Sequence, residues 1–167
     1  YYKKLGYVPY DVKINENAAR TLEYAYDDFA IAQLGKALGK PESEWKEYYR
    51  RSQNFKNVFD PETKLARGRN QDGNFQKPFN PFKWGDAFTE GNSWHYTWSV
   101  FQDINGLGKL MGGKKEFSKK LDSLFAMPPV FDDSYYGSTI HEIQEMINAN
   151  MGQYAHGNQP IQHMIYL

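Results

Sequence analysis

The stretch NENAARTLEYAYDDFAIAQLGKALG, from Asn15 to Gly39, decides the fold class. Ala18, Leu22, Ala25, Phe29 and Ala32 recur at three- and four-residue steps, while Arg20, Glu23, Asp27 and Asp28 fall largely between them. This is the period of a helix with a single apolar stripe, and it continues until Gly39 stops it. Just downstream, Pro41 suits the first turn of a second helix. Glu42 and Glu44 stand near the positive end of that helix, and Trp45, Tyr48, Tyr49, Ser52 and Phe55 draw one stripe along it. Two helices joined by so short a turn predict an αα-hairpin.

From Val58 to Gly91 the periodicity gives way to turn chemistry: Asp60-Pro61-Glu62-Thr63, Gly68, Asp72-Gly73, Pro78, Pro81 and Gly85. Asp72-Gly73 is expected to close a small hairpin. A loop of about thirty residues is uncommon in a compact domain and is usually functional or disordered. Phe75, Phe79, Phe82, Trp84 and Phe88 argue against disorder. Trp94, Trp98, Phe101, Ile104, Leu107 and Leu110 then predict one helix running from Ser93 to the break at Gly112-Gly113. A shorter helix is expected from Lys115 to Pro128-Pro129, another from Thr139 to Asn150, and a last one from Pro160 or Ile161 after the polar turn Gly152 to Pro160. The expected class is all-α, with helical hairpins separated by long functional loops, the layout of paired-helix barrels.

A chain of 167 residues holds one domain with a real core. Lys plus Arg and Asp plus Glu both number 20, so no basic excess attracts phosphate backbones, and nucleic acid is not an expected partner. Cysteine is absent, which removes disulfides, thiol nucleophiles and zinc-thiolate sites. No apolar run approaches the roughly 18 to 20 residues that span a bilayer. With no initiator Met, and Ile165-Tyr166-Leu167 ending in mid-pattern, the chain reads as a fragment of a longer one. Aromatic residues make up 17% of an otherwise polar chain of mean hydropathy -0.78. Flat amphipathic rings suit sugar faces as well as cores, so composition permits a sugar site without establishing one.

Three segments concentrate chemistry. Trp84 to Trp98 sets Asp86, Glu90, Asn92 and His95 among Trp84, Phe88, Trp94 and Tyr96 beside a helix start. Helix capping and loop ordering account for such carboxylates in the ordinary case. The functional alternative is a carboxyl desolvated by rings, whose raised pKa lets it donate a proton to a leaving oxygen. In Thr139 to Met146, His141 and Glu145 share a helical face, but the second His of a helical zinc motif is missing. His141 and Glu142 follow the loop Phe131-Asp132-Asp133-Ser134-Tyr135-Tyr136, whose side chains could bracket a polar ligand or merely signal a turn. Finally, the oxygens of Asn158 and Gln159 in His156-Gly157-Asn158-Gln159-Pro160 suit a hard cation such as calcium, or belong to an ordinary Asn- and Gly-rich turn.

Taken in order, these segments strongly resemble glycoside hydrolase family 92, the exo-acting α-mannosidases. Tyr7-Val8-Pro9-Tyr10-Asp11, Thr21 to Ala30, Phe59 to Thr63, Phe82 to Trp98 and His156 to Pro160 carry the resemblance, which runs through essentially the whole chain. It implies that residues 1–167 are a contiguous part of an (α/α)6-barrel catalytic domain. It further implies that Glu90 is the general acid, with Trp84 and Trp94 setting its environment at the substrate. His141 and Glu142 would contact the leaving sugar in enzymes that cut α-1,2 linkages. Catalysis would invert the anomeric centre with Ca2+ gripping sugar hydroxyls, and Asn158 and Gln159 are the proposed ligands. The water-activating base would lie downstream of this chain, so activity of the chain alone is not expected. Mannose-containing glycans are the implied partners, and a periplasmic, cell-surface or secreted location is implied as well. A truncated barrel would expose helix faces and self-associate. A non-catalytic carbohydrate-binding or helical interaction module, and an (α/α)6 glycosidase acting on another sugar, remain alternatives.

Overall fold

A computed structural model describes all residues, 1–167, and the chain is all-α. Its helices are α1 (Tyr2–Leu5), α2 (Asn17–Ala37), α3 (Glu42–Arg51), α4 (Ser93–Tyr96), α5 (Ile104–Met111), α6 (Lys114–Ala126) and α7 (His141–Ala149), with 3-10 runs at Ser52–Val58 and Gln159–Tyr166. The only sheet is the antiparallel pair β1 (Phe59–Asp60) and β2 (Leu65–Ala66), with Phe59 opposite Ala66.

The expected αα-hairpin is α2 packed on α3. Ala18, Leu22, Ala25 and Ala32 supply the buried stripe of α2. The pair is pinned by a buried bidentate ion pair in which Arg51 donates Nε and Nη2 to Asp28 at 2.9 and 2.7 Å. Tyr2 adds its hydroxyl to the same carboxylate at 3.0 Å, which ties α1 to both helices. No side chain caps the start of α2. Instead the backbone N–H groups of Ala18 and Ala19 donate to the Ala87 carbonyl, both at 3.1 Å, and that of Glu16 donates to Asp86 at 2.8 Å. Two of the orphan donors of the longest helix are thus satisfied by the loop that leads to α4.

The stretch Val58 to Gly91 is ordered by local polar contacts. Asp60 receives Glu62 N–H, Thr63 Oγ1 and Arg67 Nη1 at 3.0, 3.0 and 2.9 Å, closing the β1–β2 turn. Asp72-Gly73 closes a small hairpin as expected, with an antiparallel bridge between Arg69 and Phe75 and a 2.8 Å bond from Asn70 N–H to the Asn74 carbonyl.

The single helix expected from Ser93 to Leu110 is not formed. Helix α4 stops after one turn, and α5 starts only at Ile104 under its own cap, Asp103, whose carboxylate accepts from Gly106 N–H at 2.8 Å. The apolar residues between do keep the period, yet Val100 turns back to bond the Trp98 carbonyl at 2.7 Å. The break turns the next helix onto α6. The last segment, expected as a helix, is a 3-10 run. A core of 27 buried residues, Trp84, Trp98, Tyr154 and Leu107 among them, unites these elements.

Candidate active site

Gly85 to Gly91 forms a tight loop closed by a 2.9 Å bond from Gly85 N–H to the Gly91 carbonyl. Gly85 sits at φ 77°, and a Cβ there would lie 2.2 Å from the ring of Tyr135, so only glycine lets the loop Asp132 to Tyr136 lie against it. Asp86 and Glu90 also take left-handed conformations, with φ of 61° and 45°. Non-glycine residues adopt this region rarely, and a surrounding structure must hold them there. Asp86 is held by the Tyr10 hydroxyl at 2.9 Å and Lys83 Nζ at 3.1 Å. It lines a cleft of about 400 Å³ with Phe79, Asn80 and Phe88. Glu90 is exposed.

Behind Glu90 lies a buried polar lattice. Asn92 caps α4 by accepting Trp94 and His95 N–H at 2.9 and 3.3 Å, and its own N–H donates to His95 Nδ1 at 3.1 Å. Since Nδ1 accepts, Nε2 carries the ring proton and donates it to the Gln153 carbonyl at 2.6 Å. Burial drives the His95 pKa down to about 4, so the ring is neutral. Gln153 closes the lattice by accepting from Asn92 Nδ2 at 3.0 Å and donating to the Val130 carbonyl at 2.8 Å. None of Asn92, His95 and Gln153 was singled out as a site residue by sequence reasoning. The signal for the first two was their place in the Trp84 to Trp98 segment, whereas Gln153 gave none.

Of the residues the sequence proposed, Asn158 meets the Glu90 backbone, and Glu90 and Glu142 both lie close enough to Tyr136 to act on it. Asn158 is buried and donates its side-chain amide to the Glu90 carbonyl. Tyr136 has a buried hydroxyl with no well-formed hydrogen bond, its nearest polar neighbour being the Glu90 backbone. Its pKa is pushed up to about 12 by burial first, with the charges of Glu90, Tyr135 and Glu142 adding to the rise and the nearby Glu90 backbone opposing it. Glu142, at the start of α7, is buried and pairs with His141 Nε2 at 3.1 Å, while the His141 side chain is 80% exposed. An exposed imidazole held on a buried carboxylate can reach outward to a polar ligand without losing its anchor.

The two tryptophans are placed differently. Trp84 is completely buried, with His95 edge-on at 4.6 Å between ring centroids. Trp94 is largely buried, and Lys120 Nζ stands 4.2 Å from its ring centroid. Both rings are withdrawn from solvent. Gln159 is exposed and lines a separate cleft with Glu23 and Asp27 of α2.

Calcium takes six to eight oxygen ligands. In this chain no three His, Asp or Glu side chains converge as a metal site, and Asn158 has its amide nitrogen committed to Glu90. The residues present do not make a calcium shell by themselves.

Comparison with known proteins places this geometry in a family. The model of the glycosyl hydrolase family 92 catalytic domain matches residues 1–167. Among solved structures, a family GH92 inverting mannosidase of Bacteroides thetaiotaomicron is 48% identical with a TM-score of 0.81, over 99% of this chain and 22% of that one. A family GH92 α-mannosidase of the same organism, in complex with mannoimidazole, is 38% identical with a TM-score of 0.82, over 99% of this chain and 21% of that one. An uncharacterized secreted glycosidase of the fungus Arthroderma benhamiae is 30% identical over 153 residues, which are 74% of this chain and 20% of that protein. The chain thus spans about a fifth of the length of these relatives.

Proposed function

The chain belongs to the catalytic domain of glycosyl hydrolase family 92, and from that premise we propose that it supplies the acid half of a mannosidase active site, with Glu90 as the proton donor. The observation that carries this reading is the exposed Glu90 itself, held in a strained left-handed conformation on a braced loop beside Tyr136 and Glu142. Backbone strain of this kind is kept where the surroundings over-determine it, commonly at functional sites.

In the proposed reaction the bond between C1 of a terminal α-mannose and the glycosidic oxygen breaks, its electron pair staying on that oxygen. Glu90 gives the oxygen its proton. A water oxygen bonds C1 from the opposite face and loses a proton to a carboxylate that lies outside this chain, so the anomeric centre inverts. This agrees with the inverting mannosidase to which the chain is similar. His141, held on Glu142, is proposed to contact the leaving sugar and to favour an α-1,2 linkage. Calcium, when bound, would supply a hard centre for sugar hydroxyls. Asn158 and Gln159 give at most part of its shell, and the rest must come from elsewhere.

Mannose-containing glycans are the proposed substrates. The secreted glycosidase among the relatives supports export to the cell surface, periplasm or medium, and no helix here is long and apolar enough to cross a membrane.

The test is mannose release from α-1,2-mannobiose by the full-length protein that carries this chain, wild type beside Glu90→Gln, with calcium and then with chelator. Loss of a general acid costs about 100- to 10,000-fold, and a loss in that range with Glu90→Gln is expected, together with inversion by NMR of the fresh product. Full activity in Glu90→Gln would remove Glu90 from the chemistry. Full activity under chelation would remove calcium.

A further inference from the structure

A glutamate that is exposed, left-handed and set in a loop needs something to fix the direction in which its side chain leaves the backbone. The loop supplies it through its carbonyls. Those of three successive residues, Thr89, Glu90 and Gly91, each receive a donor from a different place: the Tyr96 hydroxyl, Asn158 Nδ2 and Gly85 N–H. Asn158 is the side chain that donates to the carbonyl of Glu90 itself.

Asn158 is fixed in turn. It is 2% exposed, and its N–H bonds the Ala155 carbonyl at 3.0 Å. The segment from which it projects is joined to α4 through Gln153, Asn92 and His95. The fit is close on the other side of the acid as well. A Cβ at Gly91 would stand 3.0 Å from the Tyr96 ring and 3.3 Å from Asn158 Nδ2. Tyr96 is anchored independently by stacking on Phe88, 5.3 Å between centroids.

We propose that Asn158 is a positioning residue for the catalytic acid. By donating to the Glu90 carbonyl it sets that peptide plane, and so the line along which the carboxyl reaches the glycosidic oxygen. Tyr96 holds the preceding peptide in the same way. The inference rests on Glu90 being the acid. It also separates Asn158 from a purely metal-binding role, because the amide nitrogen, and not only the oxygen, has a task. A displacement of about 1 Å of a catalytic group can cost on the order of 100-fold in rate.

The experiment uses the full-length protein and two substrates that differ in their need for a proton. α-1,2-Mannobiose leaves as a sugar hydroxyl and requires acid; 2,4-dinitrophenyl α-mannoside leaves as a stable phenolate and does not. Glu90→Gln should lose activity on the disaccharide and keep most of it on the aryl mannoside. Asn158→Ala should repeat that selectivity, with kcat on the disaccharide down about 10- to 100-fold and the aryl mannoside within about threefold. Tyr96→Phe, which keeps the ring on Phe88, should show the same pattern more weakly and guards against misfolding of the Asn158 variant. An equal loss on both substrates in Asn158→Ala and Tyr96→Phe, or recovery of Asn158→Ala by added calcium, overturns the proposal while leaving Glu90 as the acid. An unselective Glu90→Gln overturns both.

Discussion

At the scale of single residues, His95 couples the site to pH. Both ring nitrogens are used and the ring is neutral, its pKa lowered to about 4 by burial from an ordinary value of 6.5. Below pH 6.5 the unfolded chain takes up a proton that the folded chain refuses. The stability due to the neutral ring is therefore present above pH 6.5 and is lost as pH falls to 4, by about 3 kcal/mol at most. Urea unfolding at pH 7 and pH 4.5 should show this slope, and His95→Gln should flatten it while lowering stability at both. A His95→Gln protein with the wild-type slope would mean that another group titrates. Only part of such detail is legible in the sequence. Glu90, His141 and Glu142 were singled out by the family resemblance. The bond from Asn158 to Glu90 was not, because 68 residues separate them and no local pattern predicts which amide meets which carbonyl. The burial of Trp84 and Trp94 was likewise not legible, since a buried tryptophan and an exposed one have the same letter.

At the scale of elements, the α2–α3 hairpin was readable because a long stripe at helical period admits few alternatives. The pair that pins it was not, since Asp28 and Arg51 look like any surface charges in sequence. Their side chains are only 8% and 11% exposed. Removing one partner leaves a buried charge unanswered, so Asp28→Ala should destabilise the protein by about 3 to 5 kcal/mol, measured by chemical denaturation. Asp28→Ala with Arg51→Met should recover part of that loss. The misread helix between Ser93 and Leu110 has a different cause. Its apolar residues keep a helical period through the break, and the deciding feature is Asp103, which caps α5 and so competes with continuation. Asp103→Ala should cost about 1 kcal/mol, seen as a lower denaturation midpoint, since the cap is lost and Ile104 to Met111 must still turn onto α6.

For the whole molecule, the outer side of α2 carries Ile31 and Leu34, with Leu38 just past its end, and the last two are 59% and 64% exposed. Apolar surface of this kind is normally covered. The chain expressed by itself is expected to self-associate, so its mass in light scattering should rise with concentration, and a concentration-independent monomer mass would contradict this. The all-α class and the order of hairpins and loops were legible at this scale. How the loops interlock was not, since that depends on contacts between residues far apart. One such contact orders events in time. Glu90 is held from a turn made much later on the ribosome, and bringing residues so distant together is among the slower steps of folding. During refolding of the full-length protein, far-ultraviolet circular dichroism should therefore recover before the proposed mannosidase activity does. A nascent chain that has emerged only as far as α7 would already possess Glu90 and its longest helices, yet lack Asn158, the residue that holds the Glu90 carbonyl.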